Sequence, residues 1–306
     1  MDNRKYFGKL ILFGEYSMIY GSDALLVPLN SVSAEWSSIM NRPSANGIES
    51  NKNLFEFYNY LHDNDKFRLL DLRRFEMELN AGLYFDSSIP LGYGLGSSGA
   101  LVAAIYERYK LVELNDTTRL RTFLAEMESY FHGSSSGIDP LQCYYGKPFI
   151  LSQKSTDNGK QTILDFLDND YISDNIRIFL IDSKIKSDTA PLVEHFKKLR
   201  QNELYLEQFN NEYVPLVNNC IKSLTEKLID KFFDNLSQLS YLQSVMLKHA
   251  ITDNMKDLFI GDFENNHLMV KICGSGGGGF LLGFSDDEET TANYLKNNKY
   301  NFIRIK

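Results

Sequence analysis

Residues Pro90-Leu-Gly-Tyr-Gly-Leu-Gly-Ser-Ser-Gly-Ala100 lead into Ala100-Leu-Val-Ala-Ala-Ile-Tyr-Glu-Arg-Tyr109. The glycines at 92, 94, 96 and 99 let the backbone turn and come close to a ligand with no Cβ in the way. The apolar run behind them is a strong helical stretch. A glycine loop feeding a helix N-terminus gathers backbone amides and partial positive charge, which suits a bound anion. Ser97 and Ser98 stand at the helix start. Their hydroxyls can cap the helix, meet phosphate or ligate a metal.

Two formal matches to the dinucleotide pattern G-x-G-x-x-G occur, at Gly94–Gly99 and Gly274–Gly279. The first follows a loop containing Pro90 instead of ending a buried strand. The second runs into Phe280-Leu-Leu, which reads as a strand. A Rossmann unit needs strand, glycine turn and helix in succession, so both contexts argue against one and against a nicotinamide oxidoreductase. A Walker A loop is also missing, because Gly8-Lys9, Gly146-Lys147 and Gly159-Lys160 are never followed by Ser or Thr.

Upstream, Lys9-Leu-Ile-Leu-Phe-Gly14 reads as a buried strand, Ala24 to Val32 as a second, and Arg74 to Phe85 as one or two more. Leu120, Leu124, Met127 and Phe131 recur at helical spacing, predicting a helix over 117–131. Phe149 to Ser152 reads as a short strand. Residues 153–175 are polar and rich in Asp and Asn, and a domain boundary is expected there. Ile176 to Ile181 restarts the strand signal. From Pro191 to Ala250 there is no glycine, which predicts two or three helices with a break near Pro215. The end reads strand, helix, strand: 268–284, 286–298 and 301–306. Ser285 with Glu288 suggests a capping box for that helix. Strands and helices mix in both halves, so the class is α+β.

The length of 306 residues suggests about two domains at roughly 150 residues each. Asp and Glu outnumber Lys and Arg by 40 to 32, a net charge of −8. That balance disfavours nucleic acid as a partner, since phosphate backbones need a basic footprint. Three scattered cysteines make neither a disulfide framework nor a zinc site and fit a reducing cytoplasm. No run reaches the ~18 apolar residues of a membrane span, and Met1 to Leu10 lacks the apolar core of a secretory signal.

His132-Gly-Ser-Ser-Ser-Gly-Ile-Asp139-Pro140 follows the second helix, with Glu128 one turn before His132. Carboxylates at 128 and 139 can take different roles, as metal ligand and as base. The plainer alternative is a surface turn, since Ser, Gly, Asp and Pro are turn residues.

Together these segments resemble the GHMP small-molecule kinases. Lys9-Leu-Ile-Leu-Phe-Gly-Glu15 with Tyr20-Gly21 resembles their N-terminal motif. Pro90 to Ala100 resembles their phosphate-binding motif, and Lys271-Ile-Cys-Gly-Ser-Gly-Gly-Gly-Gly-Phe280 their C-terminal glycine motif. The three occur in the family's order and span nearly the whole chain. His132 to Asp139 and Asp182-Ser-Lys-Ile-Lys-Ser-Asp-Thr189 are most similar to the mevalonate kinase branch. Some positions depart from it. Tyr16 stands where that branch usually has His, as also happens in phosphomevalonate kinases. Ser135 stands for a common proline, and Gly99 and Ser275 for usual alanines.

The resemblance implies a two-domain fold: a ribosomal protein S5 domain 2-like ATP-binding domain over 1–168, and a ferredoxin-like domain with added helices over 169–306. It implies transfer of the ATP γ-phosphate to the 5-hydroxyl of mevalonate, with Mg²⁺. It places the catalytic aspartate on Asp139 and the catalytic lysine on Lys9, which would stabilise the transferring phosphoryl or hold the Asp139 carboxylate charged. Nucleotide binding falls on Gly92, Gly94, Leu95, Gly96, Ser97 and Ser98, and metal binding on Ser98 and Glu128. Acceptor contacts are expected at Glu15, Tyr16, Thr189, Gly276 and Gly277. Lys184, Lys186 and Thr189 are the candidates for an acceptor carboxylate. His132 is expected only to orient its loop. The resemblance allows a homodimer. The rival readings are phosphomevalonate kinase or another GHMP-type kinase, the related decarboxylase of mevalonate diphosphate, and a non-catalytic nucleotide-binding protein on the same fold.

Overall fold

The computed structural model describes residues 4–40, 44–157, 159–260 and 267–306, with no account of the Ile19 side chain. Residues 1–3 of the stretch read for a secretory signal lie outside these. Two antiparallel sheets divide the chain. The first holds β1 (Tyr6–Phe13), β2 (Ala24–Ser38), β3 (Leu83–Ser87), β4 (Phe149–Thr156) and β5 (Gly159–Phe166). Its path is β1-β2-β4-β5, and β3 also pairs with β2. The second holds β6 (Arg177–Asp182), β7 (Leu268–Ile272), β8 (Phe280–Ser285) and β9 (Asn301–Arg304), in the order β7-β8-β6-β9. Every strand pairing described is antiparallel, which removes the parallel sheet a Rossmann unit requires.

The helices of the first half are α1 (Ala45–His62), α2 (Leu72–Asn80), α3 (Ser97–Tyr109), α4 (Thr117–His132) and α5 (Ile138–Tyr145). The second half carries α6 (Thr189–Leu199), α7 (Glu203–Gln208), α8 (Val214–Thr225), α9 (Ile229–Met246), the single turn α10 (Lys256–Phe259) and α11 (Glu288–Asn297). The order strand, helices, two strands, helix, strand is the ferredoxin-like arrangement, with α6 to α10 filling its first crossover.

Helix α3 lies at the centre. Ala100, Val102, Ala103, Ala104, Ile105 and Tyr106 are fully buried, so it is apolar nearly all round, as a core helix must be. The halves meet through aromatic rings. Phe13 at the end of β1 stacks on Phe284 of β8 at 5.6 Å and meets Phe232 of α9 edge-on at 6.1 Å. Tyr93 of the first glycine loop packs on Phe280 at 5.2 Å.

Three sequence expectations need correction. Arg74 to Asn80 is helix α2, not strand: Asp71 accepts from the Arg74 amide at 3.0 Å as an N-cap, and Phe75 and Leu79 bury one turn apart. Residues 153–175, where a domain boundary is expected, also complete β4 and contain β5, whose only buried side chain is Thr162. Ser285 and Glu288 do not form the capping box; Asp287 caps α11 by accepting from Thr290 at 3.0 Å. The stretch from Pro191 to Ala250 carries four α-helices, α6 to α9, instead of two or three. Pro215 lies near a break, at the start of α8, after a π-turn at Phe209–Tyr213 in which the Val214 amide donates to Phe209. The reading also assigns no element to α1, which buries Leu54, Phe57, Tyr58 and Leu61 along one face.

Candidate functional site

The loop Pro90–Gly96 covers the free edge of β1, where the Lys9 amide donates to the Leu95 carbonyl at 2.9 Å. Gly96, at φ 80°, is the N-cap of α3, and no side chain caps the helix. Ser97 and Ser98 are therefore not capping residues. A Cβ on Gly96 would fall 2.6 Å from Lys9 Cγ, so glycine is what lets the lysine pass beneath the loop. A Cβ on Gly99 would fall 2.8 Å from the Asp139 carbonyl carbon and 2.9 Å from the Pro140 nitrogen. Glycine there brings α3 hard against the start of α5.

That close approach assembles a compact charged cluster. Lys9 Nζ lies 2.8 Å from Asp139 Oδ2. The lysine side chain is only 4% exposed, whereas the aspartate, in the first turn of α5, keeps 30% of its surface open. Burial pulls the Lys9 ammonium down, but the charge and hydrogen bond of Asp139 outweigh it and hold the lysine above its ordinary value. Glu128 comes from α4 and is nearly buried. Its Oε1 accepts from Ser98 Oγ at 3.0 Å, and its Oε2 accepts a short bond from Ser135 Oγ. Burial, then the charge of Asp139, push its carboxyl up to about 7, with partial relief from the two serine hydroxyls and Lys9. Ser135 also accepts the Gly137 amide at 2.9 Å, which ties Glu128 to the start of α5. His132, exposed, meets Ser98 Oγ through Nε2 at 3.0 Å. Lys9, Ser98, Glu128 and Asp139 thus come together beside Gly92–Ser98.

The expected acceptor residues form a second cluster. Tyr16, at φ 62°, donates from its hydroxyl to the Ser275 carbonyl at 2.6 Å and packs on Phe196 at 4.7 Å. Thr189 Oγ1 lies 2.9 Å from Ser275 Oγ, and Ser187 Oγ donates to the Gly276 carbonyl at 2.6 Å. The glycines of this loop are engaged by the protein. The Gly277 amide donates to the Ala250 carbonyl at 2.7 Å, and a Cβ on Gly276 would fall 2.3 Å from that same oxygen. Glu15 is buried and accepts from Lys271 Nζ at 2.7 Å, with side-chain exposures of 4% and 0%. Burial drives the Glu15 carboxyl up against the opposing pull of Lys271. In this conformation Glu15 is spent on the fold.

Lys271 and Ser135 are the site-forming residues that the motif reading does not single out. Lys271 had a signal: a lysine on the apolar strand 268–272 needs a buried counter-charge, and Glu15 is an equally isolated acid beside a buried strand. Among the described residues, no group of three or more His, Cys, Asp or Glu side chains is arranged to hold a metal. No helix among them is long and apolar enough to cross a membrane.

Residues 59–147 match the family model for the GHMP kinases N terminal domain. A mevalonate kinase of Archaeoglobus fulgidus is 25% identical over 97% of both chains. In fold, the chain superposes on the L. major mevalonate kinase solved with R-mevalonate. The TM-score is 0.65 at 16% identity, covering 99% of this chain and 95% of that one. It also superposes on a Streptococcus pneumoniae phosphomevalonate kinase solved with phosphomevalonate and AMPPNP. There the TM-score is 0.62 at 17% identity, over 99% of this chain and 100% of that one.

Proposed function

This chain belongs to the GHMP kinase superfamily, and on that premise we propose that it transfers the γ-phosphate of ATP to the 5-hydroxyl of mevalonate, a step of isoprenoid synthesis. The observation that carries the reading is the Lys9–Asp139 pair beside the uncapped start of α3. Phosphoryl transfer asks mainly for positioning and charge stabilisation, and this cluster offers both.

Amides of the Gly92–Ser98 loop and the first turn of α3 hold the triphosphate. Asp139 presents its open carboxylate to the acceptor hydroxyl and takes its proton as the oxygen attacks phosphorus. Lys9 fixes that carboxylate from its buried side and faces the developing charge. Ser98 and Glu128 fit a hard divalent cation. Both give oxygen donors, and a carboxyl pushed up by burial and then by a neighbouring carboxylate gains from a nearby positive charge. Held by Ser98 and Glu128, Mg²⁺ would supply charge neutralisation for the transferring phosphoryl group. We place the division between ATP-binding and C-terminal domains at 168/169, in the turn joining β5 to β6. Three free, buried cysteines favour a cytoplasmic setting.

The test is ADP release by the purified chain with Mg²⁺, offered mevalonate and phosphomevalonate separately, with product mass determined. Turnover with mevalonate alone is expected. Tyr16, a residue type that phosphomevalonate kinases also carry at this motif position, makes phosphomevalonate the second reading, and turnover with that acceptor alone would replace the first.

A further inference from the structure

Segment Ser183–Ser187 runs between the two glycine loops and is fastened to both. Ser183 donates to the Gly279 carbonyl from its amide at 2.9 Å and its hydroxyl at 2.7 Å, and the Gly279 amide donates to Ile185 at 2.6 Å. At the other end, the Ser187 amide donates to the Gly92 carbonyl at 3.2 Å. The segment therefore has a fixed backbone, and it carries two exposed lysines, Lys184 and Lys186, of which Lys186 lies next to the first glycine loop. The one atom within 4 Å of a Cβ built on Gly92 is Lys186 Cδ, at 3.9 Å. No carboxylate is paired with Lys186 among the described residues.

We propose that Lys186 is a nucleotide-binding residue whose ammonium pairs with phosphate oxygens of the nucleoside triphosphate on the Gly92–Ser98 loop. Its sequence context suggested an acceptor carboxylate instead. Two lysines thus border the loop. Lys9 passes under Gly96, next to the aspartate that must meet the acceptor hydroxyl, and Lys186 lies along Gly92 at the opposite end. The acceptor is tied to the Asp139 end by its reacting hydroxyl. The extended polyanion is what reaches from there to Gly92, and a mobile ammonium on a fixed backbone is suited to it.

This inference rests on the kinase reading, so ATP binding is measured without acceptor, by calorimetry on the full chain with Mg²⁺. Lys186→Ala is expected to weaken ATP about tenfold, the loss of one charge-assisted contact, while the mevalonate KM stays within about twofold. Lys186→Arg should restore most of the affinity. Lys197→Ala, an exposed α6 lysine paired with Glu194, should change nothing. Unchanged ATP affinity in Lys186→Ala, or a rise confined to the mevalonate KM, would overturn the assignment. If the wild-type chain binds ATP but phosphorylates neither acceptor, the proposed reaction fails and the ATP comparison still decides the role of Lys186.

Discussion

The chain buries two lysines against two carboxylates, and the pairs differ in one respect. Lys9–Asp139 leaves the carboxylate 30% open. Lys271–Glu15 leaves its carboxylate 4% open, with the lysine fully enclosed and also donating to the Ile272 carbonyl at 2.6 Å. Their N–O separations are 2.8 and 2.7 Å, so distance does not distinguish them. What distinguishes them is access. An acid with one face in the cleft can exchange a proton with a ligand. An acid sealed on every side can only hold the segment after β1 to strand β7.

Asp139→Asn should break this contrast most sharply. An amide cannot accept the proton, and turnover should fall about 10³-fold, within the usual range for a lost general base. ATP affinity should hold, and single-turnover assays with a binding measurement separate the two. Turnover close to wild type would remove Asp139 from that role. The sealed pair should respond in stability instead. Lys271→Met strands the Glu15 carboxylate and should cost about 3–5 kcal/mol in urea unfolding, with much of it recovered in Lys271→Met/Glu15→Leu. A double variant no better than the single would mean that the pair contributes more than mutual neutralisation.

Gly99→Ala sharpens the comparison from the packing side. Its Cβ needs the space now held by the Asp139 backbone. Overpacking there should cost about 1–3 kcal/mol, and kcat should fall more than ATP affinity, because α5 carries the acid away from Lys9. A variant with wild-type melting and turnover would show that α5 shifts without consequence. The last test concerns a half-buried titratable ring, and its effect shows only on acidification. His249 has both ring nitrogens buried without hydrogen-bond partners, and its ring lies 4.4 Å from that of His195. Burial, then His195, lower it from 6.5 to about 4. The unfolded chain therefore binds the extra proton between pH 6.5 and 4, so this contribution is complete above pH 6.5 and is lost as pH falls through that window. His249→Leu should flatten the decline in Tm between pH 7 and 4.5; an unchanged decline would place the dependence elsewhere.

Sequence conveys the charged cluster around Lys9 and Asp139 better than its surroundings. The loop and helix at 90–109 declare themselves locally, through glycine spacing and an apolar run. The strand of Lys9 is a plain buried run as well. Helix α2 was misread because Phe75, Met77 and Leu79 alternate as a strand would, although only Phe75 and Leu79 face inward. Strand β5 was hidden because it buries little, and its place depends on β4 and on Thr118, whose hydroxyl accepts the Thr162 amide at 2.9 Å. The Glu15–Lys271 pair is not legible in the sequence, because the two partners lie at opposite ends of it. A pairing between residues 15 and 271 leaves no periodicity for either neighbourhood to show.

Strand β2 has a consequence in time. One edge pairs with β1, while the other is shared: Ala34–Ser38 against β3, and Ala24–Leu26 against β4. The first two pairings join strands that are consecutive in the chain, β3 following β2 after α1 and α2. The third needs Phe149–Leu151, near the middle of the chain. A ribosome-bound chain lacking residue 151 can already hold Lys9 in its strand, yet it leaves the opening residues of β2 with bare amides and carbonyls. Distant strand pairings form late and stay open to wrong partners until then. The exposed opening of β2 therefore closes only when β4 emerges, after the last of Lys9, Ser98, Glu128 and Asp139 has been made.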